Sequence, residues 1–156
     1  MDRVAPSFGN VVGPGGSVAP PDSVLVRSRL AAKAFLLIEP QPLVAATVEY
    51  LLVESGAEVV VISDGASTPG ILVPLDRPFD AAVLDLPLAA EDAKRLVDEL
   101  MASRIPFVAT TTGLLAKAKN LVNGFPVLAK PYLDTELLAA LEQALASPPV
   151  SGRPAA

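Results

Sequence analysis

The sequence predicts an α/β domain built on a five-stranded, doubly wound parallel sheet. Apolar runs of strand length recur along the chain, and they alternate with segments that carry helix signals. The runs are apolar on consecutive positions, as is typical of strands covered by helices on both faces. Strands that alternate with helices through tight connections indicate a doubly wound domain with right-handed crossovers.

Five segments have the composition of buried strands. Each is rich in aliphatic or aromatic residues and is bounded by turn-forming or helix-breaking residues. The predicted strands span residues 34–38, 57–62, 79–84, 105–110 and 125–129.

Three helices are well marked between and after these strands. The segment 42–55 opens with Pro42, which suits the first helical turn, and stops at Gly56. The segment 91–103 repeats apolar residues every three or four positions. Asp134 is placed to cap a last helix with a similar apolar stripe.

Two shorter segments complete the alternation of strands and helices. The segment 64–75 contains Pro69, Gly70 and Pro74, which interrupt any helix there. The segment 113–121 predicts a short helix. Each lies between two predicted strands, as a crossover helix should.

Composition divides the chain into one domain and two ends. Residues 1–33 mix Gly, Pro and Ser without a sustained period and predict a flexible N-terminal extension. Residues 34–146 form the domain, and 147–156 predict a flexible C-terminal tail.

The residue types that are missing exclude several kinds of chemistry. The chain has no cysteine and no histidine, which excludes thiol nucleophiles, disulfides, imidazole bases and Ser-His-Asp triads. Most of the acidic residues lie in the domain, which disfavours a nucleic-acid partner. No apolar run reaches the length of a membrane span, and the N-terminus lacks a signal-peptide pattern, so we expect a cytoplasmic protein.

Polar side chains follow the predicted strands at the edge where such sheets bind ligands. In the order 2-1-3-4-5 the winding reverses between strands 1 and 3, and Glu39 and Asp85 come directly after these strands. Asp85 interrupts the apolar stretch "AAVLDLPL", where an unpaired carboxylate is costly to bury. The threonines at 110–112 follow strand 4, and Lys130 follows strand 5.

This set of side chains suits a doubly charged oxyanion. The acids can hold a hard divalent cation, the lysine neutralises charge, and a threonine hydroxyl donates a hydrogen bond. The pattern predicts phosphoryl chemistry on a carboxylate, with Asp85 as the nucleophile.

Four segments of the sequence resemble a known family in order and spacing. They are "FLLIEPQPLVAATVEYLLVESGAEV", "FDAAVLDLPL", "IPFVATTTG" and "PVLAKPY". Together they resemble the receiver domain of bacterial response regulators, especially the compact single-domain forms from proteobacteria. The resemblance covers about residues 34–146 and implies a flavodoxin-like, CheY-like fold.

The resemblance also implies a role for each site residue. Asp85 would accept a phosphoryl group, Thr111 would be the switch hydroxyl that moves toward it, and Lys130 would pair with the acidic site. Glu39 matches the first acid of a pair that helps to hold Mg²⁺, and the carbonyl of Pro87 matches a backbone ligand. The activation loop would run through residues 87–90.

The sequence departs from the family pattern at three places. Pro40 stands where receivers usually carry a second acid, so we expect weak Mg²⁺ binding. Val127 replaces the aromatic switch residue of strand 5. The run "ATTTG" favours Thr111 as the switch hydroxyl but leaves Thr110 and Thr112 open.

The resulting hypothesis is a single-domain response regulator receiver in a two-component phosphorelay. It would be a phosphoacceptor with self-catalysed phosphotransfer and dephosphorylation rather than an enzyme. A histidine kinase or histidine phosphotransfer protein would supply the phosphoryl group. The face made by the fourth helix, fifth strand and last helix would contact a downstream protein, and the oligomeric state is open.

Two alternatives belong to other classes of protein. One is a pseudo-receiver, a binding module that keeps the fold without phosphorylation; Pro40 favours it, whereas Asp85, Thr111 and Lys130 oppose it. The other is an α/β enzyme acting on a small phosphorylated ligand, which is disfavoured because no suitable general base is visible.

Overall fold

The computed structural model describes residues 29–63, 78–86, 90–113, 115–122 and 124–147, and it contains a five-stranded parallel sheet. The strands are β1 (Ala34–Ile38), β2 (Glu58–Ile62), β3 (Ala81–Asp85), β4 (Phe107–Thr111) and β5 (Val127–Ala129). The helices are α1 (Pro42–Glu54), α2 (Ala90–Ala102), α3 (Leu115–Val122) and α4 (Asp134–Ala146). The sheet order is β2-β1-β3-β4-β5, which confirms the predicted doubly wound fold.

Two apolar layers cover the two faces of the sheet. Phe35 and Leu37 of β1 pack with residues of α1 and α4 on one face. Leu36 and Ile38 of the same strand pack with residues of α2 and α3 on the other face. Because successive strand residues point to opposite faces, a strand covered on both sides is apolar at consecutive positions.

Three of the predicted strands begin two residues too early. Phe79 and Ile105 are buried, and Phe125 is half-buried, in the same apolar layer as the strands that follow them. Each of them lies before the first residue of its strand in the sheet. An apolar composition indicates that a segment is buried, but it does not show where the segment starts to pair with a neighbouring strand.

The helix signals are confirmed at α1 and corrected at α4. Pro42 occupies the first turn of α1, and Gly56 follows the helix with a φ of 83°. The prediction that Asp134 caps the last helix is wrong, because Asp134 is already helical. The N–H of Leu133 instead donates to the Glu136 carboxylate at 2.6 Å, which satisfies a backbone donor ahead of the helix.

The packed domain begins before β1. Leu30 is fully buried among the side chains of the α1 and α4 layer, and Arg29 forms an ion pair with Glu142 of α4. The N–H of Ala32 donates to the carbonyl of Gly56 at 2.9 Å. Residues 29–33, assigned from the sequence to the N-terminal extension, therefore pack against the domain.

Some predictions lie outside the described residues. They are the rest of the N-terminal extension, the helix within 64–75 and the tail from residue 148. In the described part of the chain, no helix is both long and apolar enough to cross a bilayer.

Candidate functional site

The carboxyl ends of the four adjacent strands β1, β3, β4 and β5 bring the predicted site residues to one edge of the sheet. Asp85 is the last residue of β3, rather than following it, and it lies in register with Thr110 of β4. Glu39 and Lys130 directly follow β1 and β5. The N–H of Lys130 donates to the carbonyl of Thr111 at 2.8 Å, so the hydrogen bonds between β4 and β5 extend one residue beyond the end of β5, to Lys130.

Lys130 joins the two carboxylates. Its ammonium nitrogen Nζ lies 2.7 Å from Oε2 of Glu39 and 3.1 Å from Oδ1 of Asp85. The side chains of Lys130, Glu39 and Asp85 are 13%, 3% and 1% exposed. At such burial the attraction between charges is much stronger than in water, but each charge loses its hydration. The structure therefore brings together the two acids and the lysine that the sequence placed at this edge.

The protonation of this cluster follows from burial and charge. Burial raises the pKa of Asp85, and the nearby Glu39 charge raises it as well, although bonds from Lys130 and Thr110 act in the opposite direction. Burial alone would lower the pKa of Lys130, but its bonds to Glu39 and Asp85 outweigh that effect and raise it. Lys130 is therefore a fixed positive charge at neutral pH.

The two carboxylate oxygens of Asp85 have different surroundings. Oδ1 accepts from Lys130, and the hydroxyl Oγ1 of Thr110 donates to it at 3.4 Å. Oδ2 is buried and has no hydrogen-bond partner among the described residues. A buried carboxylate oxygen without a partner costs free energy, and a catalytic role or a bound water or ion is among the reasons for which native proteins keep such an atom.

Both carboxylate oxygens of Glu39 accept hydrogen bonds. Its Oε1 accepts from the N–H of Gln41 at 3.0 Å, and its Oε2 accepts from Lys130. The contact with Gln41 is a local turn that also leads the chain into α1. Glu39 therefore holds the lysine in place, and each of its oxygens keeps one further lone pair.

The three threonines at the end of β4 occupy different environments. Thr111 is buried, and its Oγ1 accepts from the N–H of Gly113 at 3.0 Å. Thr112 is exposed. Within the described residues Thr110, not Thr111, bonds to Asp85. Pro87 and the predicted activation loop up to residue 89 lie outside the described part of the chain.

The overall structure is similar to receiver domains from several bacteria. The signal receiver domain of a modulated diguanylate cyclase from Desulfovibrio desulfuricans G20 is 27% identical, with a TM-score of 0.58 over 73% of this chain and 94% of that one. The receiver domain of the Pseudomonas aeruginosa PAO1 sensor histidine kinase PA1611, with a magnesium ion in its active-site cleft, is 23% identical, with a TM-score of 0.59 over 75% and 100%. The chemotaxis protein CheY4 of Vibrio cholerae is 21% identical, with a TM-score of 0.58 over 73% and 99%. The chain has the receiver-domain fold.

Comparison with models of protein families found no match, and neither did comparison with curated proteins. The receiver fold is therefore seen in the structure and not in overall sequence similarity. It agrees with the resemblance carried by the four short segments, which lie at the strands and their carboxyl ends.

Few side-chain oxygens of this receiver fold are available to a cation. Oδ2 of Asp85 is free of protein bonds among the described residues, whereas both oxygens of Glu39 are engaged. Pro40 supplies no carboxylate. No group of three or more acidic side chains in the described part of the chain has the arrangement of a metal site.

Sequence reasoning missed an apolar groove next to Lys130. The groove has a volume of about 490 Å³ and lies between α1 and the start of α4. Tyr132 lines it, and burial raises the pKa of this phenol. Leu43 of α1 also lines it and is 81% exposed. The adjacent apolar residues Leu43 and Val44 in the first turn of α1, both of which line the groove, are the sequence signal that could have indicated it.

Proposed function

We propose that this protein is a receiver in a two-component phosphorelay and accepts a phosphoryl group on Asp85. One observation carries the proposal: Oδ2 of Asp85 is buried beside a lysine ammonium and has no partner in the described residues. A carboxylate with one oxygen anchored and the other free is suited to act as a nucleophile. The proposal is supported by the position of Asp85 at the carboxyl end of β3, the edge at which doubly wound sheets commonly bind ligands.

The transfer needs no proton from the protein. Oδ2 attacks the phosphorus atom and forms the new O–P bond, while the bond from phosphorus to the donor breaks. The electron pair of that bond leaves with the donor, which is an imidazole nitrogen for a phosphohistidine or an acetate oxygen for acetyl phosphate. Lys130 lies close enough to offset the negative charge that gathers at the site.

Thr111 is the proposed switch hydroxyl. Its bond with Gly113 uses a lone pair of Oγ1 and not the hydroxyl hydrogen. That hydrogen can therefore be donated to a phosphoryl oxygen on Asp85. A rotation of Thr111 toward the phosphoryl group would then alter the backbone near Gly113 and the start of α3.

The available donors fit a Mg²⁺ ion that has few direct protein ligands. The carboxylate of Asp85 would bind the ion, Glu39 would act through a water molecule, and the carbonyl of Pro87 is the third proposed ligand. Mg²⁺ normally keeps several waters, so such a set is compatible with binding, and with Pro40 in place of an acid we expect it to be weak. When bound, the ion would neutralise charge on the phosphoryl oxygens.

Protein partners would bind at two surfaces. A histidine kinase or histidine phosphotransfer protein must reach Asp85, and the apolar groove beside Lys130 offers a surface next to that path. A downstream protein would contact the face of α3, β5 and α4. A second groove of about 580 Å³ lies there, and Val127 and Phe125 line it.

The test is phosphorylation by a small donor. The full chain is incubated with acetyl phosphate and Mg²⁺, and its intact mass is measured over time. We expect the mass of one phosphoryl group to be added to the wild type and to Asp98→Asn, an exposed control in α2, but not to Asp85→Asn. A folded wild type that gains no mass at any Mg²⁺ concentration would contradict the proposal, and so would a gain in Asp85→Asn.

A pseudo-receiver is the second candidate, because one observation favours it. Glu39 already has both oxygens bonded, and Pro40 offers no carboxylate to replace it as a metal ligand. Such a protein would bind its partner equally well with or without a phosphodonor. Absence of phosphorylation in the folded wild type would favour this function.

A further inference from the structure

Thr110 is a buried hydroxyl that the proposed chemistry has not used. It is 1% exposed and lies in register with Asp85 across the β3–β4 ladder. The carbonyl of Thr110 accepts from the N–H of Leu86 at 2.8 Å, so the ladder holds its backbone directly beside that of Asp85. Its Oγ1 donates to Oδ1 of Asp85 at 3.4 Å.

The bond from Thr110 goes to the same oxygen that Lys130 binds. Oδ1 thus has two donors, from β4 and from the end of β5, whereas Oδ2 has none among the residues described. A carboxylate held in this way cannot rotate about its Cβ–Cγ bond without breaking both contacts. Which oxygen faces the incoming phosphorus is therefore decided before any donor arrives.

We propose that Thr110 is a positioning residue that, together with Lys130, anchors Oδ1 of Asp85 and keeps Oδ2 as the attacking oxygen. The inference rests on the proposed function, since it assigns a role within phosphoryl transfer. After transfer to Oδ2, Oδ1 is the carbonyl oxygen of the acyl phosphate. That oxygen still accepts hydrogen bonds, so Thr110 and Lys130 can hold the product in the same orientation.

Thr110 and Thr111 then have different roles, because their side chains point to opposite faces of the sheet. Thr110 points to the face of the sheet that carries α1 and α4, as does Val108. Thr111 points to the opposite face, as does Ala109, and there its hydroxyl meets the N–H of Gly113. Thr110 thus acts on the acceptor carboxylate, and Thr111 is free to act on the transferred group.

A neutral donor suits this position. The cluster of Glu39, Asp85 and Lys130 carries two negative charges and one positive charge. A second cation at position 110 would hold Asp85 more strongly but would also repel Lys130 and compete with it for the carboxylates. A hydroxyl orients the carboxylate without adding charge.

The matched variants are Thr110→Val, which keeps the shape and removes the hydroxyl, and Thr110→Ser, which keeps the hydroxyl. Thr135→Val on the exposed surface of α4 is the control for the same chemical change elsewhere. With acetyl phosphate, we expect Thr110→Val to lower the phosphorylation rate by about fivefold. We expect Thr110→Ser and Thr135→Val to stay close to the wild type.

A second readout does not depend on phosphorylation. The carboxylate stretching band of Asp85 is obtained as the infrared difference between each protein and the same protein carrying Asp85→Asn. Loss of a donor to Oδ1 should shift this band in Thr110→Val, and Thr110→Ser should restore it.

An unshifted band in Thr110→Val would overturn the inference, and so would an unchanged rate. A rate loss that Thr110→Ser fails to restore would also overturn it, because the methyl group rather than the hydroxyl would then matter. If the folded wild type is not phosphorylated at all, the proposed function fails, and the infrared arm alone decides whether Thr110 holds the carboxylate.

Discussion

Glu39 and Asp85 are both buried carboxylates at the same edge of the sheet, but the protein treats them in opposite ways. Glu39 follows β1, and each of its oxygens accepts a bond, one from Lys130 and one from the N–H of Gln41. Asp85 ends β3, and only its Oδ1 is bonded within the described residues. Glu39 is therefore bonded through both oxygens and belongs to the structural framework of the site, whereas Asp85 has one oxygen without a donor among the described residues.

This difference shows how a buried cluster can leave one carboxylate oxygen without a protein donor at a small cost in free energy. Glu39 holds the Lys130 ammonium near Asp85, so the lysine remains in place whatever happens at Asp85. Among the described residues, Oδ2 of Asp85 is the one buried side-chain polar atom that lacks a hydrogen-bond partner, so the free energy cost of burial without a bond is limited to this atom. The two acids should consequently respond differently to mutation.

Removing the lysine should have the largest effect on stability. Lys130→Met leaves two buried carboxylates without a cation, and we expect it to lower the free energy of unfolding by about 3–5 kcal/mol. Lys94→Met is the matched control, because Lys94 pairs with Asp98 on the exposed surface of α2. Urea unfolding of both variants measures the contrast. Similar small losses in the two would show that the buried cluster does not stabilise the fold.

Neutralising Glu39 should also lower the free energy of unfolding, but by less than the loss of Lys130 does. In Glu39→Gln the ion pair with Lys130 is lost while Lys130 keeps Asp85, so we expect a loss of about 1–3 kcal/mol in the free energy of unfolding. Glu49→Gln, on the exposed side of α1, should change it little. A gain in stability in Glu39→Gln would contradict its assignment to the framework.

Neutralising Asp85, by contrast, should raise the free energy of unfolding near neutral pH. Its pKa is raised in the folded protein, so the folded state binds the proton more tightly than the unfolded chain does. Stability from this group is therefore present at low pH and is lost as pH rises through the folded pKa. Asp85→Asn avoids that loss, and we expect it to stabilise the protein by about 1 kcal/mol near neutral pH.

Unfolding by urea at a series of pH values checks this sign. The gain in Asp85→Asn should shrink as pH falls toward the ordinary titration range of an aspartate. A loss of stability near neutral pH would show that the bonds to Lys130 and Thr110 outweigh the burial of the carboxylate.

Restoring a second acid should change metal binding rather than the stability of the fold. Pro40→Asp adds a carboxylate next to Glu39, where it could bind Mg²⁺ directly, and we expect binding to tighten about tenfold, or about 1.4 kcal/mol. Titration calorimetry with Mg²⁺ measures the affinity. Gln41→Asp, which adds the same charge one residue further along an exposed turn, should tighten it less. Equal affinities in Pro40→Asp and the wild type would mean that Pro40 does not limit metal binding.

The sequence predicted the fold well because the two-sided burial of a parallel sheet leaves a direct mark on composition. The consecutive apolar residues of β1, β3 and β4 are buried on both faces, and this pattern needs no knowledge of partners. The starts of β3 and β4 were predicted wrongly, because Phe79 and Ile105 are buried like strand residues but lie outside the ladder.

At the site, the sequence by itself determined which chemical groups are present and at which edge of the sheet they lie. The order of strands placed Glu39, Asp85 and Lys130 together, since the carboxyl ends of parallel strands share one edge. Only the tertiary structure decided which atoms are paired: that Glu39 is bonded on both oxygens and that Thr110 bonds Asp85 while Thr111 faces Gly113. The physical reason is that a difference of a few tenths of an ångström in the donor–acceptor distance decides whether a hydrogen bond forms, and strand register and side-chain rotamers set that distance. The order of residues in the sequence shows only the periodicity of burial.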